Sequence, residues 1–163
     1  MTNEFEYCGE KFADLQILRY CVQGFEQLSL KQKLYIYYLA KATLCGRDIT
    51  TDQFGKYNLR IRKVLEAIYC NYSGNWEDRN FEALVVYLKR VWFSNGIYHH
   101  YGCDKFKPQF SESWFRSTIA RSADKLASKL GVASGDEVME WCAPLFPVIF
   151  DPEIMPKRVE KAC

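Results

Sequence analysis

Asn58–Ser94, NLRIRKVLEAIYCNYSGNWEDRNFEALVVYLKRVWFS, is the stretch whose reading decides the fold. Its apolar residues recur at intervals of three and four: Ile61, Val64, Leu65, Ile68 and Tyr72, then Phe81, Leu84, Val85, Leu88 and Trp92. That spacing stacks side chains along one side of a helix and leaves Arg60, Arg62, Lys63 and Glu66 off the stripe. Ser73–Gly74–Asn75 between the two runs is turn chemistry. The pattern predicts helices over about 58–72 and 76–94.

The same logic extends in both directions. Upstream, Ser29 and Gln32 have the spacing of a capping box, in which the hydroxyl and the amide satisfy each other's backbone N–H groups. A helix over about 30–45 follows, with Leu30, Leu34, Tyr37, Tyr38, Ala42 and Cys45 in one stripe and Gly46 as a left-handed stop. In residues 1–28, FADLQILRYCVQGF fits neither period well and reads as a short helix followed by an extended piece. Downstream, a helix is expected over 112–130, with Phe115, Ile119, Ala123, Leu126 and Leu130 aligned and Gly131 ending it. Ser134 and Glu137 repeat the capping-box spacing and open a helix over 135–143, which Pro144 stops. Four of the five prolines lie after residue 143. Residues 144–163 therefore read as a proline-rich, extended apolar arm, and finishing there at Cys163 is what a cut chain would do. The expected fold class is mainly α with few or no strands, in a single segment covering 1–163.

Composition narrows the function. The net charge is +2, from 22 basic and 20 acidic residues spread along the chain. A nucleic-acid surface needs clustered Lys and Arg, so that partner is not expected. MTNEFEYCGE is acidic and has no basic region followed by an apolar run, unlike a signal peptide. No apolar stretch approaches the roughly 20 residues of a membrane span. Seven cysteines without a CxxC pair fit reduced thiols in a cytoplasmic protein.

The remaining segment, 95–110, NGIYHHYGCDKFKPQF, is long for a connection between helices, and loops of that length are often functional. It holds the only two histidines, His99 and His100, with Cys103 and Asp104 close by. A structural zinc site needs four converging ligands, and adjacent side chains of an extended backbone point apart. Metal ligation here is therefore not expected. A Cys103–histidine nucleophile would also need an orienting group and an oxyanion hole, which nothing identifies. Glu77 and Asp78 read as first-turn acids favoured by the helix dipole. What the loop does offer is Tyr98, Tyr101 and Phe106, with Gly96 and Gly102 permitting turns. Two readings follow: the rings line a peptide-binding cleft, or they close the end of the helical core.

YLKRVWFSNGIYHHYGCDKFKPQF resembles the N-terminal lobe of bacterial dipeptidyl peptidase III enzymes. LQILRYCVQGFEQLSLKQK and LFPVIFDPEIMPKRV resemble the same family, in the same order. The resemblance implies a cytosolic zinc exopeptidase that releases dipeptides from the N-termini of oligopeptides. It also implies two lobes around a wide cleft, with zinc held on the other, helical lobe by HExxxGH and a later glutamate-rich motif. This chain contains no HExxxGH, so the resemblance implies no zinc ligands and no catalytic residues here. The partners it implies are the oligopeptide substrate and the remainder of the peptidase with its zinc lobe. Tyr101, just before Gly102, matches a family aromatic that contacts bound peptide. Asn95 lies in the matching Ser–Asn turn and is expected to shape the same wall. Between Asn95 and Tyr101 the chain is one residue shorter than eukaryotic members. The expectation is a non-catalytic portion of the substrate-cleft wall. The alternatives are a stand-alone helical peptide-binding module and an enzyme using Cys103 with a histidine.

Overall fold

A computed structural model describes residues 5–157. The chain divides into two compact units, Met1–Asp48 and Ile49–Cys163. The secondary structure is mainly helical with one two-stranded sheet, as the periodicity predicts.

In the first unit, strands β1 (Cys8–Phe12) and β2 (Leu15–Leu18) form an antiparallel hairpin, where a short helix was expected. The physical reason is local. Leu15 and Ile17 alternate with Gln16 and Leu18, so two of the four sit half-buried on one face. Ala13 takes φ 49, one of the positive angles a tight hairpin turn demands. The Gln16 amide also donates back to Gly9 O at 2.9 Å, tying the strands together. A single 3-10 turn, Phe25–Gln27, leads to α1 (Leu30–Cys45). The capping box is present: Ser29 Oγ accepts from Gln32 N, and Gln32 Oε1 accepts from Ser29 N at 2.9 Å. Gly46 ends α1 in the right-handed region, at φ −88, and not in the left-handed one. The expected stripe on α1 packs into no core. No residue of the helix is buried, and its large apolar side chains, from Leu30 to Leu44, are 42–73% exposed.

The second unit contains the core. It comprises α2 (Arg47–Gln53, from Ile49 on), α3 (Asn58–Asn71), α4 (Arg79–Ser94), α5 (Glu112–Arg121), α6 (Ala123–Leu130), α7 (Gly135–Cys142) and α8 (Leu145–Phe150). The stripe on α3 is buried as predicted, through Ile61, Val64, Leu65 and Ile68, and it meets Leu84, Leu88 and Val91 of α4. α4 starts three residues later than the periodicity suggests. Asp78 Oδ1 accepts from Asn80 N at 2.9 Å and Phe81 N at 3.1 Å, so Asp78 is the cap and Trp76 stays outside the helix. Tyr87 is buried, and among the described residues its hydroxyl has no hydrogen-bond partner. That burial pushes its phenol well above the usual range.

Further expectations need correction. The single helix over 112–130 is two helices, because Ser122 leaves helical geometry at φ −111, ψ 8. The stripe survives the break, since Phe115, Ile119 and Leu126 are all buried. The 144–163 arm is not extended throughout. Pro144 and Pro147 stand at the cap and in the first turn of α8, where a missing N–H does no harm. Leu145, Phe146, Val148 and Ile149 then enter the core. The last part of the expected arm, 158–163, lies outside the described residues. At α7, Ser134 makes no side-chain cap, and Glu137 Oε2 instead accepts from Ala133 N at 3.3 Å.

Candidate functional site

The 95–106 loop is a short hairpin at the end of α4. Asn95 closes that helix in the left-handed region, φ 54 and ψ 32, a conformation asparagine tolerates better than most residues. Gly96 N then donates to Val91 O at 3.0 Å. The turn redirects the chain onto α3, where Ile97 N donates to Asn58 Oδ1 at 3.2 Å. Phe106 N to Ile97 O and His99 N to Asp104 O, both 2.8 Å, close the hairpin around the Tyr98–Lys105 bridge.

Both legs are anchored. Tyr98 is buried, and its hydroxyl donates to Met155 O at 2.5 Å. Phe106 is buried under the Arg90 guanidinium, 5.1 Å from the ring centroid. Lys105 Nζ donates to Val148 O and Asp151 O, each at 2.9 Å, and to Ile154 O. One ammonium thus ties the loop to α8 and to the chain just after it. Desolvation lowers the Lys105 pKa, while Asp151 and Glu153 act the other way.

The tip beyond these anchors is aromatic. The His99 and His100 rings stack with centroids 4.4 Å apart, and His100 lies 4.3 Å from Tyr101 and 4.9 Å from Phe93. Tyr101 N donates to His99 Nδ1 at 3.2 Å. Tyr101 itself is 91% exposed. The structure therefore puts the two expected site residues at different levels of the loop. Half-buried Asn95 forms its base, and Tyr101 stands at its tip.

The His99 and His100 rings face each other, and His99 Nδ1 already accepts a backbone N–H. Among the described residues, no three His, Cys, Asp or Glu side chains come together as a metal site. Burial pushes the Cys142 thiol up to about 12 despite the nearby Arg60 charge, which disfavours its thiolate. Two residues that hold the site escaped the sequence reading. Asn58 reads only as a helix start, and Lys105 is not singled out. A cavity of about 420 Å³ opens beside the base of the loop, lined by Phe54, Gly55, Tyr98, Met155, Pro156 and Lys157. Its walls are mostly apolar, with the Lys157 ammonium 5.3 Å from the Phe54 ring centroid.

No helix among the described residues is long and apolar enough to cross a membrane. In comparisons with known proteins, the chain matches no protein-family model and no curated protein.

Proposed function

We propose that this chain forms part of the substrate-cleft wall of a cytoplasmic zinc-dependent dipeptidyl peptidase III, contacting oligopeptides through the 95–106 loop and catalysing nothing alone. The exposed ring of Tyr101, on a hairpin anchored at Asn58, Met155 and the 148–154 carbonyls, carries this reading. A rigidly based aromatic gives flat contact area at low entropic cost, and free backbone groups at the tip can pair with an extended peptide. The apolar cavity beside Tyr98 has room for a peptide side chain. In such a peptidase, zinc would polarise the scissile carbonyl and activate water, and its ligands would come from the other lobe. Within its own unit α1 buries none of its apolar side chains, which supports a protein partner of this kind.

Tyr101→Ala is the test. It should weaken binding of short oligopeptides to the 163-residue chain by about tenfold, near 1.4 kcal/mol, in isothermal titration calorimetry. The Tm should stay that of the parent, because the ring covers no core. Equal affinity in parent and variant would count against the loop as a contact surface.

One observation favours a second reading, a non-catalytic helical peptide-binding module. Leu145, Phe146, Val148 and Ile149 are buried within their own unit, so this segment leaves no apolar wound. Sedimentation separates the readings. A monomeric chain that binds peptide favours the module, and self-association reversed by α1 substitutions such as Leu34→Lys favours the partner-dependent wall.

A further inference from the structure

A second recess lies between the α3–α4 turn and the α5–α6 junction. It encloses about 150 Å³ and is lined by Tyr72, Ser73, Gly74, Thr118, Arg121 and Ser122. At about 30 Å³ per water, that is room for about five waters, or for one small anion with some of its hydration. We infer that this recess binds a small tetrahedral oxyanion of the phosphate class, with Arg121 as its charge partner.

The lining is a set of donors with one formal charge. Among the described residues, Arg121 has no carboxylate partner, and its recorded hydrogen bond goes from Nη2 to Thr118 Oγ1 at 3.4 Å. Thr118 is 2% exposed, so its hydroxyl sits in the wall and not in solvent. The Ser122 hydroxyl does not cap α6, although Ser122 stands at the N-cap position. Ser122 and Ser73 both line the recess, one from the α5–α6 junction and the other from the α3–α4 turn. A planar carboxylate presents two oxygens to one side, whereas donors on both walls suit the four oxygens of a tetrahedral group.

The shape depends on Gly74. A Cβ there would come within 2.6 Å of Tyr72 Cζ and Oη, so glycine is what lets the phenol fold across the turn. The ring is held by stacking on Phe81, with centroids 3.8 Å apart. Desolvation, then Asp78, raises the Tyr72 pKa and Arg121 partly opposes this, so the phenol stays a donor at neutral pH. Asp78 is an acid whose field reaches the Tyr72 phenol, and Asp124 stands in the first turn of α6. The Asp78 carboxylate accepts from the N–H groups of Asn80 and Phe81, and its remaining charge opposes the anion that Arg121 attracts.

Titration of the full chain with inorganic phosphate, followed by amide chemical shifts, tests the inference. Saturable shifts at Ser73, Gly74 and Ser122 with millimolar affinity are expected, with acetate at least about tenfold weaker. Arg121→Gln should abolish saturation. Ser73→Ala, in an exposed turn that leaves the core untouched, should weaken it several-fold. The proposal is overturned by linear, unsaturable shifts, by phosphate affinity that survives Arg121→Gln, or, if that variant fails to fold, by affinity that survives Ser73→Ala. Acetate binding as tightly as phosphate would overturn the tetrahedral assignment. None of these outcomes bears on the peptide-binding loop.

Discussion

Phe115→Ala should lower the unfolding free energy by about 3–5 kcal/mol, measured by urea denaturation. Phe115 is 1% exposed on α5 and packs against Phe110 at 5.3 Å and against Phe146 and Phe150 at 6.0 Å. Those rings come from the end of the loop region and from α8, so the substitution opens a cavity where three chain segments meet. Edge-to-face and tilted ring pairs each add roughly 0.5–1.5 kcal/mol beyond the area they bury. The same result bears on the corrected reading of residues 144–150. An extended, solvent-facing arm would contribute nothing at Phe115, and a loss below about 1 kcal/mol would mean that α8 does not pack as described.

Gly96→Ala is the second large effect, and it targets the loop. The residue has φ 158, and a Cβ would collide with Asn58 Nδ2 and lie 2.6 Å from Asn58 Cγ. Asn58 is itself buried and cannot swing away without releasing Ile97 N, which it accepts through Oδ1. The variant must therefore either strain the turn or strand a buried backbone N–H. Overpacking costs about 1–3 kcal/mol and an unsatisfied buried donor a further 1–3. A loss of about 3 kcal/mol is expected, with altered amide shifts from His99 to Phe106. Stability and loop shifts like those of the parent would show that Asn58 does not hold the turn.

Much of the second unit was legible in advance because it follows one rule. The stripe on α3 is buried within a residue of its expected bounds, and α4 buries Phe81, Leu84 and Leu88 of its stripe but starts three residues late and leaves Trp92 exposed, since a 3.6 period fixes the buried face better than the helix ends. The failures each have a local cause. The break at Ser122 leaves the apolar spacing of Phe115, Ile119 and Leu126 intact, so periodicity could not register it. In α8 the prolines occupy the cap and first turn, positions where they start helices as readily as they end them. The hairpin at Cys8–Leu18 turns on Ala13, a residue with no turn signature.

The loop was legible as a feature and not as a construction. Its length and aromatic content marked it out, but its supports lie far away in sequence. Asn58 reaches Ile97 from the start of α3, and Lys105 reaches the carbonyls of Val148, Asp151 and Ile154. Such pairs carry no periodicity and no spacing rule. The histidines show the converse. They are the most eye-catching residues in the sequence, yet they stack on one another beside Tyr101 at the tip of the loop.

The central claim is that the tip of the 95–106 loop touches peptide. Chemical-shift mapping of the 163-residue chain during titration with a short oligopeptide tests it most directly. The account predicts saturable changes greatest at Tyr101 and Gly102, extending to His99, His100 and the Tyr98 side of the neighbouring cavity. Saturable changes confined to residues away from 95–106, or none at all, would contradict it.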